Sequence, residues 1–163
     1  MTHAENKVQW CLNKATKEGR KHRGLRKVKP DLHQVDDHMK KAEHDLEAME
    51  HLVRGGFHDW AISAAFYAHY HCLLATLQKF GYESRNQECT FAAIELLIEQ
   101  GKIRMSKDEL LKIYAANMED TAILGLRERF QYGTETLMEE SKIQEILEQT
   151  KRFIERTKVV LQT

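Results

Sequence analysis

Apolar positions recur along most of this chain at spacings of three and four, the signature of helices with one buried face. After Pro30, Asp31 reads as an N-cap. Leu32, Val35, Met39, Ala42, Leu46, Met49 and Val53 then form a continuous seam until Gly55-Gly56 stops it. The next stretch, from Asp59 to Phe80, is apolar nearly all round. Ala61, Ala64, Ala65, Ala68, Cys72 and Ala75 make a stripe of small residues, and Ile62, Phe66, Tyr67, Tyr70, Leu73, Leu74 and Leu77 fill most of the remaining circumference. A helix apolar on all sides is enclosed by its neighbours, so this one is predicted to be central. His58 or Asp59 caps its start and Gly81 ends it.

The pattern continues on both sides. Residues 5–17 predict a short amphipathic helix with Val8, Cys11, Leu12 and Ala15 on one side and Trp10 beside them. After the polar connection GYESRNQE, a helix is expected from about Gln87 to Gln100, with Phe91, Ile94, Leu97 and Ile98 inward. Ser106-Lys107-Asp108-Glu109 has the form of a capping box. It predicts a fourth helix running through Leu110, Leu111, Ile113, Tyr114, Met118, Ile123, Leu124 and Leu126 to about Gln131. The last helix, about Glu135–Leu161, faces inward through Ile143, Ile146, Leu147, Phe153, Ile154 and Leu161. Strand-type alternation is absent. The expectation is an all-α, antiparallel up-and-down bundle of four to five main helices, spanning residues 31–163 and preceded by a basic extension, residues 1–30.

Charge sharpens that division. Residues 1–30 hold nine Lys/Arg against two Glu, whereas the remainder holds sixteen Lys/Arg against twenty-three Asp/Glu. The stretch KEGRKHRGLRKVKP therefore either seeks an external anion, RNA first among them, or docks on the acidic body of its own or a neighbouring subunit. Three scattered cysteines without a C-x-x-C pair argue against a disulfide framework or a zinc site and fit a reducing cytoplasm. The start, MTHAENKVQW, is too polar for a secretory signal, and two histidines and a lysine interrupt the central apolar run before it reaches bilayer length. A cytoplasmic protein with no membrane contact is expected.

Several chemistries are excluded by absence of their motifs: no Gly-rich phosphate loop, no G-x-S-x-G and no H-E-x-x-H occurs. No metal and no cofactor is expected. His69 and His71, two apart on a helix, point roughly 200° from each other and cannot share an ion. Polar rings on so apolar a helix need partners, so each either bridges a neighbouring helix or faces a polar cleft. Arg85 stands alone in its loop. The segment Leu126-Arg127-Glu128-Arg129-Phe130-Gln131-Tyr132-Gly133 is the most informative. Arg127 and Tyr132 are expected to face one groove across a helix end, a permanently charged phosphate binder beside a phenol, with Arg129 as a second guanidinium.

Two of these stretches together resemble the HEPN domain (higher eukaryotes and prokaryotes nucleotide-binding), especially its small stand-alone prokaryotic, nucleotidyltransferase-associated members. The first is Asp59-Trp60 leading to Phe66-Tyr67-Ala68-His69-Tyr70-His71; the second is R-x-x-x-x-Y-G from Arg127 to Gly133. The similarity covers about residues 32–161. It implies a bundle that dimerises so that two arginine motifs face one cleft. In members with R-x-x-x-x-H that cleft cuts RNA, the arginine holding the phosphate and the histidine assisting 2′-hydroxyl attack. It also implies a toxin–antitoxin-type pairing with a small nucleotidyltransferase. Here position 132 is Tyr, and no histidine follows His71. A phenol with an ordinary pKa of ~10 is a poor base near neutrality.

The expectation is therefore a homodimer that binds nucleotide or RNA phosphate through Arg127, Arg129 and, more weakly, Arg85. Two alternatives stay open. One is a metal-independent endoribonuclease in which His69 or His71 works with Arg127; the other is a non-catalytic adaptor that binds a protein.

Overall fold

The computed structural model describes residues 1–114 and 122–162. Seven α-helices occur among them: α1 (His3–Glu18), α2 (Leu32–Arg54), α3 (His58–Lys79), α4 (Gln87–Glu99), α5 (Lys107–Leu111), α6 (Ile123–Tyr132) and α7 (Glu140–Gln162). Two three-residue strands, β1 (Leu25–Lys27) and β2 (Tyr82–Ser84), pair antiparallel with Leu25 opposite Ser84 and Lys27 opposite Tyr82. The ribbon was not expected, because three residues are too few to show alternation.

The predicted caps are in place. The Asp31 carboxylate accepts from the His33 and Gln34 amides, and Ser106 and Glu109 close a reciprocal capping box at α5. The start of α3 differs. Phe57 is its N-cap and offers no side-chain bond. Instead, the segment before α7 serves it: the Asp59 amide donates to the Thr136 carbonyl at 3.4 Å, and the Met138 amide donates to His58 Nδ1 at 3.0 Å.

α3 packs against α2, α4, α6 and α7, so the apolar Asp59–Phe80 stretch is the central helix. Its alanine stripe is buried at Ala61, Ala65, Ala68 and Ala75. The tight turn at Gly55–Phe57 returns it antiparallel along α2, whose Val35, Met39, Ala42, Met49 and Val53 form the buried seam. Leu32, at the first turn, stays exposed. α3 is not enclosed on every side, however: Trp60 is 63% exposed and Tyr67 40%.

The single fourth helix read from Ser106 to Gln131 is two helices. α5 ends at Leu111, and the chain turns at Lys112 and Ile113, whose carbonyls accept from the Ile123 and Leu124 amides at 3.1 and 2.9 Å. The start of α6 therefore lies beside the end of α5. Met118, assigned to that helix, lies outside the described residues.

The basic leader packs on the body. Ala4, Val8, Cys11 and Leu25 join the apolar cluster containing Phe66, Leu73, Phe91 and Ile94. Gly24 lies so close to α1 that a Cβ there would meet the Cys11 carbonyl oxygen at 2.6 Å. Glu83 on β2 gathers the positive charge: Arg26 Nη2 reaches its carboxylate at 3.2 Å, Arg85 Nη2 at 3.3 Å and the buried His22 Nε2 at 3.1 Å. Cys11 and Cys89 are disulfide-bonded, with 5.9 Å between their Cα atoms. This corrects the expectation from cysteine spacing: α1 lies against α4, bringing together two residues 78 apart in sequence. Cys72 is free and buried, its thiol pushed up to about 12 by burial. Among the described residues no helix is long and apolar enough to cross a membrane, and no group of three or more His, Cys, Asp or Glu side chains could hold a metal ion.

Candidate functional site

Arg127 owes its position to the buried face of α6. Ile123, Leu124, Leu126 and Phe130 seat that helix on the core, and Arg127, one turn after Ile123, is carried inward with them. Only 9% of it is exposed. Its guanidinium carbon lies 4.6 Å from the ring centroid of Phe66 and 5.7 Å from that of Tyr67 on α3, a cation–π arrangement. Nη1 donates to Gln131 Oε1 at 3.0 Å, while the buried Nε has no partner. Among the described residues no carboxylate forms an ion pair with this guanidinium. A nearly buried charge held by an aromatic face and one amide is well placed but not neutralised.

The other expected site residues are dispersed. Tyr132, at the end of α6, is 79% exposed, and no hydrogen bond or ring contact joins it to Arg127 among the described residues. Arg129 makes a two-pronged bond to Glu135, Nε and Nη2 each 2.9 Å from a carboxylate oxygen. That bond holds the Glu135 carboxyl below its ordinary range. Arg85 sits with the basic leader, donating to the Arg20 carbonyl at 2.8 Å beside Glu83.

The two histidines diverge, as their spacing on the helix requires. His69 is buried; Nδ1 donates to the Ala65 carbonyl at 2.8 Å, and the ring stacks on Phe153 of α7 with centroids 4.9 Å apart. Burial lowers its pKa to about 4, against the opposing pull of the Ala65 bond. His71 turns toward α2, where its Nδ1 lies 3.0 Å from that of His38. Burial first, then the charges of His38 and Lys41, lowers its pKa to about 4 as well. Bases this weak favour the neutral ring at pH 7 but withdraw little from a 2′-hydroxyl.

Sequence reasoning missed the aromatic platform. Trp60 and Tyr67, seven apart, share one face of α3, with His71 one turn further along it, and Phe66 and Tyr67 carry the arginine. The helical spacing of these rings was visible, but their assignment to an enclosed core concealed that two face outward.

A comparison with curated proteins gives no match. The family model of the HEPN domain matches residues 35–160, from the first turn of α2 nearly to the end of α7, leaving α1 and β1 outside it. The chain belongs to the HEPN domain family.

Proposed function

We propose that this HEPN protein works as a homodimer that binds nucleotide or RNA phosphate in a cleft lined by Arg127 of both copies, without substantial RNA cleavage. The observation that carries the reading is the nearly buried, unneutralised guanidinium of Arg127 on Phe66. Such a charge is stabilised by an anion, and its planar donors suit a phosphate. The exposed Tyr67 beside it, with exposed Trp60 two turns earlier on the same face of α3, forms the kind of aromatic surface that a second copy or a base covers. Loss of cleavage follows from chemistry: Tyr132 replaces the motif histidine, and His69 and His71 are both weak bases engaged with other groups. In this reading the protein acts in the cytoplasm as the HEPN half of a toxin–antitoxin-type pair with a small nucleotidyltransferase.

The test is a titration of wild-type and Arg127→Ala protein with ATP and a short single-stranded RNA at two salt concentrations, with mass measured by light scattering. A dimeric wild type whose affinity falls steeply with salt, and an Arg127→Ala variant at least ~10-fold weaker, support the proposal. Equal binding by both proteins, or a wild-type protein that stays monomeric with ligand bound, overturns it. Metal-independent cleavage of the RNA that disappears in Arg127→Ala would instead establish the nuclease alternative.

A further inference from the structure

A cavity that combines apolar surface with charged side chains is built from residues other than Arg127. It occupies about 270 Å³ and is lined by His69 of α3, Glu109 of α5, Lys112 and Ile113 just after it, and Gln149, Arg152, Phe153 and Arg156 of α7. The α7 side is written in the spacing: positions 149, 152, 153 and 156 fall on one helical face, placing an amide and two guanidiniums around Phe153. Opposite stands Lys112. Arg156 is already committed, with Nε donating to Glu109 at 3.2 Å and Nη2 to the Arg104 carbonyl at 2.6 Å. Lys112 and Arg152 form no ion pair among the described residues, so the walls carry an excess of positive charge.

The inner end is more discriminating. His69 stacks on Phe153, and its Nδ1 must carry a proton because the Ala65 carbonyl, an acceptor only, lies 2.8 Å away. In the neutral ring Nε2 is therefore a bare acceptor. It is buried and has no hydrogen-bond partner. The ring's low basicity, near 4, keeps it in that form at neutral pH. An occupant complementary to this cavity offers negative oxygens to Lys112 and Arg152 and an O–H donor to His69. Sulfate, fully ionised, supplies only the first. Hydrogen phosphate supplies both, and so does a phosphorylated sugar through its hydroxyls. The volume exceeds what a bare phosphate fills and lies just below the ~300 Å³ where small-molecule sites usually begin.

We propose that this cavity is a binding site for a phosphate accompanied by a hydroxyl donor, distinct from the Arg127 cleft, with His69 Nε2 as the acceptor that selects against fully ionised oxyanions.

The experiment is ¹H–¹⁵N NMR of the histidine rings in the full chain, titrated with inorganic phosphate, ribose 5-phosphate and sulfate at constant ionic strength. Saturable movement of the His69 resonances with phosphate or with ribose 5-phosphate, at least ~10-fold tighter than with sulfate, supports the proposal. The tighter of the two identifies the source. Lys112→Ala combined with Arg152→Ala replaces two exposed side chains, so the fold is retained; the affinity should fall about 10-fold or more while the His69 signals of the free protein stay in place. An unmoved His69, equal affinity for sulfate, or unchanged binding by the double variant overturns it. Because His69 itself is observed, failure here is separate from the outcome at Arg127.

Discussion

At the scale of single residues, burial decides what each charged or polar group can do. His69 illustrates the sign. Its pKa falls from an ordinary 6.5 to about 4 on folding, so the unfolded chain binds more protons than the native one between those values. Stability is then highest above pH 6.5, declines as pH falls toward 4 and levels off below it, with His69 accounting for at most roughly 3 kcal/mol. Urea unfolding at pH 7 and pH 4.5 measures the decline. His69→Phe keeps a ring on Phe153 but removes the titration, and it should flatten the slope substantially; an unchanged slope would assign the effect to other groups. Arg127 stands at the other limit, since a guanidinium stays charged at any pH the fold survives, and its environment can vary only through what pairs with it.

At the scale of elements, helix phase was readable and helix continuity was not. Leu110 and Ile113 on one side and Ile123, Leu124 and Leu126 on the other fit a single amphipathic pattern, and a pattern of that kind registers the angle of each residue about an axis, not a turn in the axis itself. The turn at Lys112–Ile113 was therefore invisible, and with it the wall that Lys112 gives to the cavity beneath α7. The same limit hid the His38–His71 contact, which exists only because α2 and α3 form a hairpin. The arginine motif was legible because its residues are local to α6, whereas its platform on α3 arrives from some sixty positions earlier. The leader offers an element-scale test. Since a Cβ at Gly24 would lie 2.6 Å from a backbone oxygen of α1, Gly24→Ala must push the segment that follows α1 away from that helix. The midpoint of urea unfolding should fall by the equivalent of about 1–3 kcal/mol. No change would mean that the Gly24 segment does not lie against α1 in solution.

At the scale of the whole molecule, the Cys11–Cys89 bond ties α1, which the family match leaves outside, to α4 within it. Closing a loop across 78 residues stabilises a fold by about 2–4 kcal/mol, chiefly through the unfolded chain. Thermal unfolding with and without dithiothreitol should show a lower midpoint for the reduced protein, and Cys11→Ser should reproduce that midpoint and no longer respond to the reagent. With the bond reduced, α1 is held instead by its buried face of Ala4, Val8, Cys11 and Ala15 and by ion pairs such as Lys7–Glu88. The unneutralised guanidinium on Phe66 has the larger consequence. In the proposed dimer two such cations look at each other across the symmetry axis, so each subunit repels its twin until something negative arrives between them. An anion in that place is the mortar of the assembly as well as its cargo. Self-association and ligand capture then become a single equilibrium, and whatever drains the cell of that ligand also loosens the pair.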